Sequence, residues 1–307
     1  MSAPRVPRHL LALVETKIRR IAFRIAVYGL LVLIGYVFLF PLLKMLSQSL
    51  MDSRDIIDPN VILVPTRLSL ANYAQAWATL NMPTSLLNSL WFSGLLAVFQ
   101  TWSSAMAGYA FARFRFPGKS ALMGLVLATY IIPMQVLVIP RFMVFSAYDL
   151  VGSVLPLLAV ALFGQGLSGA IFILIFRNFF QMMPPSIDEA AQIDGASRFQ
   201  TFVRITLAMS IPIIVVSFLF SYVWNWNETY VTGLVASGRF STLPLELDGF
   251  VASYTRLFIK PGSTTSKLNE AVRMAGTLIS VAPLLLLYAF LQRQFVEGIE
   301  KTGITGE

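Results

Sequence analysis

Residues 188–207, DEAAQIDGASRFQTFVRITL, place small, charged and glycine residues between two long apolar runs of the chain. A proline pair at positions 184 and 185 precedes this stretch. Proline ends a helix because it lacks the backbone N–H, and it also restricts the residue before it. We therefore expect the first apolar run to stop before this stretch and the stretch to fold as a separate element.

A short helix fits the start of this stretch. Ser186 and Glu189 form the S-x-x-E capping-box pattern, and Gly195 is placed to end the helix after about two turns. Ser197 is expected to cap the segment that follows. The pattern leaves two interpretations open. It fits an amphipathic turn at a membrane surface, or a helix whose flat alanine face enters a groove of another protein.

The composition is that of a membrane protein. Of the 307 residues 56% are hydrophobic and only 12% are charged, which is far from the balance of a soluble domain. A bilayer core about 30 Å thick needs roughly 20 mostly apolar residues per helix, and no run alternates like a barrel strand. We predict an all-α integral membrane protein with six transmembrane helices, at residues 25–46, 86–111, 120–141, 154–177, 204–228 and 273–293.

The predicted membrane domain, 25–294, lies between a basic N-terminal arm, 1–24, and a tail, 295–307. Lys and Arg concentrate in the arm and in the connection FARFRFPGKS, which indicates the cytoplasmic side. Both termini and the stretch 188–207 are therefore expected in the cytoplasm. The first apolar run is too long for a signal peptide and lacks a small-residue cleavage site, which favours an uncleaved helix. The net charge of +8 then faces anionic lipid rather than nucleic acid.

Several kinds of chemistry lack the residues that they need. The chain has no cysteine and a single histidine, His9 in the basic arm, so we predict no metal site and no catalytic residue. The GKS tripeptide at 118–120 resembles the end of a phosphate-binding loop, but Arg113 stands where the first glycine belongs. Ionisable residues fall at or beyond the predicted helix ends, with Glu228 the nearest approach, which argues against ion-coupled transport.

The spacing within 188–207 resembles a known signature. EAA, then Gly195 after three residues, then ITL after nine more is similar to the E-A-A-x-x-x-G-x9-I-x-L-P motif of permease subunits in bacterial ATP-binding-cassette (ABC) importers. Ala208 stands at the proline position, and Pro212 follows it. Most of the chain is similar to the second permease of maltose-type importers, although 250–273 is longer than expected. The similar segments are LSLANYAQAW, NSLWFSG, GYAFARFRFPGK, TLPLELDGF and QRQFVEGIEKTGITG.

The resemblance implies a type I ABC importer permease fold with a cytoplasmic coupling helix between helices 4 and 5. It implies a non-enzymatic subunit of a carbohydrate importer in the bacterial plasma membrane, paired with a homologous second permease and two ATPase subunits. The ATPases would bind ATP and Mg, no cofactor is expected on this chain, and an extracytoplasmic solute-binding protein would deliver the sugar. The residues implied in coupling to the ATPase are Glu189, Ala190, Ala191, Ile193, Asp194 and Gly195.

A polar and aromatic cluster, SYVWNWNETY, ends the fifth predicted helix. Aromatic faces with hydrogen-bonding groups are typical of sugar sites. The candidates for the substrate path are therefore Tyr222, Trp224, Asn225 and Asn227. Trp and Tyr also collect at membrane interfaces, and an aromatic belt at the level of Glu228 is the favoured interpretation.

Three alternative functions remain open. An importer of glycerol phosphate or another polyol ester would need an anion site, and the predicted spans contain no buried Arg or Lys to build one. A stand-alone carrier or channel would work without an ATPase, so co-purification with an ATPase separates it from an importer subunit. A membrane enzyme would need a nucleophile and a base, and no such pair is found.

Overall fold

A computed structural model describes residues 8–259 and 270–303 of the chain, with side chains over 17–259 and 270–293. These residues are helical apart from their turns and one isolated bridge. Three of their helices are long and apolar enough to cross a membrane, and the number reaches six if each of three bent pairs is one span. The all-helical membrane fold is thus confirmed for the described residues, whereas the count of six spans stays a prediction.

The described residues divide into two compact units. The first has the bounds Met1–Ala74 and Asn269–Leu278, and the second has the bounds Gln75–Leu268 and Ile279–Glu307. The first three helices of the chain are α1 (Arg8–Ser49), α2 (Ser53–Ile57) and α3 (Ala71–Thr79). α1 contains the predicted helix 25–46, and most apolar side chains of 25–46 are exposed, as expected of a helix that faces lipid.

A buried carboxylate organises the loop between α2 and α3. Asp55 accepts hydrogen bonds from the Thr66 hydroxyl, from the Thr66 N–H at 2.8 Å and from the Arg67 N–H at 3.4 Å. These bonds, above all the one from the Thr66 hydroxyl, favour the charged form and hold the pKa of Asp55 below its usual value. The folded loop therefore contains Asp55 in its ionised form.

Acid is expected to open this loop. Because the pKa of Asp55 is lower in the folded loop than in an unfolded chain, its contribution to stability is present above the usual carboxyl pKa of about 3.9. That contribution is lost as the pH falls through the lowered pKa. Pepsin should cut the wild-type loop only at the acid end of the pH range in which pepsin is active. It should cut the loop of the Asp55→Asn variant over that whole range. The exposed Asp58→Asn is the control, and identical profiles for Asp55→Asn and wild type would refute this role.

The second unit contains a long helix, and the pair of helices after it is broken. These helices are α4 (Met82–Arg113), α5 (Lys119–Ile131) and α6 (Met134–Ala147). α4 contains the predicted helix 86–111. α5 and α6 meet at 98°, so the prediction of one continuous helix over 120–141 is wrong. Ile132 is extended there (φ −70°, ψ 121°), because the following Pro133 disfavours helical geometry in the residue before it.

The predicted fourth helix, 154–177, is also two helices. They are α7 (Leu155–Leu162) and α8 (Gly169–Met182), and the segment FGQGLS, 163–168, separates them. Gly164 has a φ of +76°, which L side chains rarely adopt, and a Cβ on Gly169 would stand 2.6 Å from the Gly164 carbonyl oxygen. The prediction of one continuous helix is wrong because these glycines permit a tight turn within an otherwise apolar run.

α4 packs extensively against α8, and a glycine allows the closest part of this contact. A Cβ on Gly108 would stand 2.6 Å from the Phe176 Cβ, 2.9 Å from the Arg177 backbone nitrogen and 3.1 Å from the Ile173 carbonyl oxygen. Small residues let membrane helices approach one another in this way. The adjoining buried cluster consists of Ala105, Tyr109, Phe176, Phe180, Met183, Phe202 and Ile213.

The predicted fifth helix, 204–228, starts earlier and bends. The elements in this region are α9 (Pro185–Ile193), α10 (Arg198–Thr201), a π-helical turn (Phe202–Thr206), α11 (Leu207–Met209) and α12 (Ile211–Asn227). The chain turns by 83° at Ser210. Ala208, at the motif's proline position, lies inside α11, whereas Pro212 lies in the first turn of α12. The bend is therefore displaced from Ala208 towards Pro212.

Four helices complete the described chain: α13 (Tyr230–Ala236), α14 (Leu243–Asp248), α15 (Phe250–Phe258) and α16 (Glu270–Gly303). The Ser89 hydroxyl on α4 accepts a hydrogen bond of 2.7 Å from the Leu243 N–H, which attaches the start of α14 to α4. α16 contains the predicted helix 273–293. Parts of the basic arm, of the long segment 250–273 and of the tail lie outside the described residues.

Candidate functional site

α9 occupies the position of the predicted short helix, but its start differs. The helix begins at Pro185 with Pro184 as its N-cap, and no side-chain hydrogen bond caps it. Ser186 lies inside the helix, so the predicted capping box of Ser186 and Glu189 is wrong. Proline fits the first helical position because that N–H needs no partner and because φ is already helical, and this preference overrides the serine signal.

The end of α9 agrees with the prediction for Gly195. This residue has a φ of +84°, in the left-handed region that glycine adopts at little cost. Its N–H donates to the Gln192 carbonyl at 3.1 Å, and the Ala196 N–H donates to the Ala191 carbonyl at 2.9 Å. These two bonds form a Schellman motif, which satisfies carbonyl groups at the end of the helix.

The predicted coupling residues differ in how far they are buried. Ala191 is 6% exposed and holds α9 against the protein, whereas Ile193 is 86% exposed. The other exposed members of the set are Glu189, Ala190, Asp194 and Gly195. We call the exposed residues Glu189, Ala190, Ile193, Asp194 and Gly195 the α9 outer face. Ile193 is the one large apolar side chain of this face, and its neighbours there are small or acidic.

A salt bridge connects α9 to α4, and the sequence did not predict it. The Arg113 Nε lies 2.8 Å from Asp188 Oδ2, and each side chain is only 13% exposed, so solvent screens the pair weakly. A second nitrogen of Arg113 donates to the Met183 carbonyl at 2.9 Å. Arg113 ends α4, and it therefore joins three elements: α4, the end of α8 and the first turn of α9.

The segment after α9 is capped as predicted. The Ser197 hydroxyl accepts from the Gln200 N–H, and the Gln200 side chain accepts from the Ser197 N–H, which completes a capping box. Phe202 in the π-helical turn packs against Tyr109 of α4, with 4.9 Å between ring centroids. The chain that leads from α9 into α12 is thus also attached to α4.

The four candidates for the substrate path have different surroundings. Tyr222 and Asn225 are buried, Trp224 packs on Phe172 with 5.3 Å between centroids, and Asn227 is exposed. Trp226, between them, is 2% exposed. Burial of Tyr222 and Trp226 inside the chain argues against the predicted aromatic belt, whose rings would reach the membrane interface.

Asn225 belongs to a buried polar network that the sequence did not reveal. Its side-chain amide donates to the Ser221 carbonyl at 2.7 Å, and the Ser221 hydroxyl lies 3.1 Å from Gln100 Oε1. The Gln100 amide nitrogen donates to the Leu167 carbonyl in the 163–168 segment. Gln100 is one of several polar residues of α4, among them Thr101 and Ser104, so the sequence pattern does not single it out. The network fixes the break between α7 and α8 against α4 and α12.

Arg141 contradicts the expectation that ionisable residues stay at the span ends. It lies inside α6, is half-buried, and lines a cavity of about 230 Å³. The prediction placed Arg141 at the end of its helix, whereas α6 continues to Ala147. A membrane helix with an arginine in its interior usually directs that side chain towards a cavity or the bundle interior.

No group of three or more His, Asp and Glu residues that would hold a metal ion occurs among the described residues. That this chain binds no cofactor itself stays a prediction.

Comparisons with known proteins place these features in a family. Residues 103–301 match the family described as "Binding-protein-dependent transport system inner membrane component". A polygalacturonan/rhamnogalacturonan transport system permease protein of Bacillus subtilis is 26% identical over 90% of this chain and 96% of its own. An arabinooligosaccharides transport system permease protein of Halalkalibacterium halodurans is 26% identical over 89% of this chain and 93% of its own.

A solved structure shares the fold. A chain from the crystal structure of a bacterial ABC transporter involved in the import of the acidic polysaccharide alginate superimposes with a TM-score of 0.71. The match covers 95% of this chain and 100% of the other, at 19% sequence identity. The chain therefore has the fold of a type I ABC importer permease.

Proposed function

The chain belongs to the family of binding-protein-dependent transport system inner membrane components, and we propose from this that it forms the membrane-spanning path of an ATP-driven saccharide importer. It is a multi-pass protein of the inner membrane and, as a permease component, is not itself an enzyme. Relatives named for the transport of polygalacturonan, rhamnogalacturonan and arabino-oligosaccharides support a saccharide as the solute. They do not favour glycerol phosphate or a polyol ester.

The complex that we propose contains four further proteins. A homologous second permease completes the path, two ATPase subunits bind ATP and Mg and hydrolyse the nucleotide, and an extracytoplasmic solute-binding protein delivers the saccharide. Both termini and α9 lie in the cytoplasm, in agreement with the basic residues of 1–24 and of the connection after α4. This orientation places α9 where an ATPase can reach it.

The α9 outer face is the observation that carries the proposal. A helix whose buried side and both ends are fixed, and whose opposite side is exposed, can transmit a displacement as a rigid body. A partner that moves α9 would move α4 through the salt bridge of Asp188 with Arg113, and α12 through the segment that contains Phe202. We propose that ATP-driven closure of the ATPases shifts α9 in this way and opens the path outwards.

A substitution on the α9 outer face should weaken ATPase association without unfolding the chain. Ile193→Asp replaces an exposed apolar contact by a charge, and we expect about a tenfold or greater loss of co-purified ATPase, the effect of about 1.4 kcal/mol or more. Glu189→Lys should weaken association in the same direction. Co-purification from membranes, followed by ATP-driven uptake in proteoliposomes, measures both losses.

Ile57→Asp is the matched control, because Ile57 is 80% exposed on α2, well away from α9 in the sequence. Its ATPase yield should equal that of the wild type, and the melting temperature of all three variants should be unchanged. If Ile193→Asp and Glu189→Lys kept full ATPase yield and full uptake, α9 would not be the docking helix. Uptake by the chain alone, driven by an ion gradient, would identify a carrier instead.

A further inference from the structure

Arg141 lines a cavity where two broken pairs of helices meet. The cavity, of about 230 Å³, is bordered by Ile132 and Pro133 at the break between α5 and α6, and by 164–169 at the break between α7 and α8. Arg141 projects into this space from α6. In secondary transporters, breaks in membrane helices free backbone groups that then serve as solute ligands. A cavity bordered by two such breaks is therefore a candidate position for a solute.

The guanidinium of Arg141 has no partner in the described chain. Neither of the two ion pairs there, Arg113 with Asp188 and Arg273 with Glu270, involves it, and no described group is hydrogen-bonded to it. A half-buried charge is costly unless it is paired, and in a membrane segment it is retained mainly where it acts on a solute. The arrangement leaves a positive charge available to an incoming ligand.

No described group at this position forms an ion pair with Arg141. A smaller adjoining cavity is bordered by Arg141, Asn225 and Glu228. The Glu228 carboxylate accepts hydrogen bonds from the Val231 N–H at 2.6 Å and from the Thr232 N–H and hydroxyl at 2.9 and 2.7 Å. These bonds orient Glu228 towards the first turn of α13, and it remains negatively charged without forming an ion pair with Arg141. Asn225 is neutral and adds hydrogen-bonding capacity.

The amino end of α8 adds positive potential to the same cavity. Ser168, Gly169 and Ala170 border it, and the first N–H groups of a helix carry a partial positive charge. This helix end and the Arg141 guanidinium therefore favour the same sign of ligand. Gln165, on the adjoining segment, borders both cavities. A planar guanidinium beside a helix amino end is well suited to a carboxylate, which it can bind through two parallel hydrogen bonds.

We propose that Arg141 binds a carboxylate of the transported solute, so that this importer carries uronic acid saccharides. The inference rests on the proposed function as a saccharide importer and extends it to a substrate class. The 230 Å³ cavity is slightly below the ~300–1,000 Å³ of sites for drug-sized ligands, so it accommodates one charged sugar unit at a time. A neutral saccharide would leave the charge of Arg141 unpaired, which disfavours its passage.

The test compares an acidic and a neutral trisaccharide in the complete importer, reconstituted with its partner subunits. Trigalacturonate and galactotriose are the probes, and ATP-dependent uptake is the measurement. Wild type should take up trigalacturonate in preference to galactotriose. Arg141→Gln should raise the KM for trigalacturonate about ten- to a hundredfold without lowering galactotriose uptake. Arg141→Lys keeps the charge but cannot form two parallel hydrogen bonds, so its KM for trigalacturonate should lie between those of wild type and Arg141→Gln.

Arg54→Gln, at an exposed arginine on α2, is the control and should leave both uptakes unchanged. Preference of the wild type for galactotriose would overturn the carboxylate site and leave the saccharide importer standing. Equal losses for both sugars in Arg141→Gln, with a lower melting temperature, would assign Arg141 a structural role and overturn it as well. Absence of any ATP-dependent uptake by the wild type would overturn the importer and the carboxylate site together.

Discussion

Gly108→Ala should prevent α4 and α8 from packing and lower the yield and melting temperature of the protein. The added Cβ would stand 2.6 Å from the Phe176 Cβ and within 3.1 Å of backbone atoms of Ile173 and Arg177, which cannot rotate away. Overpacking costs about 1–3 kcal/mol or more, and here it exceeds the gain of about 1 kcal/mol that alanine brings to a helix. Thermal unfolding of the purified protein in detergent measures the loss.

Gly94→Ala is a matched control on the same helix. Its new Cβ would meet only the Tyr222 ring, at 4.0 Å, which is an ordinary van der Waals distance. This variant should melt at or slightly above the wild-type temperature. If Gly108→Ala melted at the same temperature as Gly94→Ala, the close approach of α4 and α8 would be incorrect.

Reversing the charge of Asp188 should uncouple the importer. Asp188→Arg places two guanidinium groups together at a site where each wild-type side chain is only 13% exposed. Loss of one partner from a buried pair costs about 3–5 kcal/mol, and the residual exposure favours the lower end. We expect ATP-driven uptake to fall below about a tenth of the wild-type value.

The double variant Asp188→Arg with Arg113→Asp restores an ion pair in which the two charges have exchanged positions. It should recover part of the uptake that each single variant loses, because the pair and not the individual residue connects α9 to α4. Losses that simply add in the double variant would show that Asp188 and Arg113 act independently. ATPase yield, measured in parallel, separates weaker docking from weaker transmission.

Composition and apolar run length predicted the membrane-spanning helices that have no break. α4 and α16 contain the predicted helices 86–111 and 273–293, because a span without a break leaves an uninterrupted apolar run. Gly195 was predicted from local backbone geometry, since the left-handed φ at a helix end favours glycine.

Local proline and glycine effects and tertiary contacts together explain what the sequence did not predict. The runs over 120–141 and 154–177 are apolar on both sides of their breaks, so the pattern is the same for a straight helix and for a bent pair. Ser186 carries a capping signal, but Pro185 takes the first helical position. Arg141 was assigned to a helix end because only the structure shows that α6 continues beyond it. The link between Asp188 and Arg113 joins residues far apart in sequence.

A single cysteine at position 190 tests the central claim that a separate ATPase acts on α9. The chain has no cysteine of its own, so Ala190→Cys introduces a unique thiol on the α9 outer face. In membranes that contain the complete importer, a short thiol cross-linker should join residue 190 to an ATPase subunit, and a membrane-impermeant reagent should label it only from the cytoplasmic side. Labelling from outside the cell, or no cross-link to any ATPase during turnover, would contradict the account.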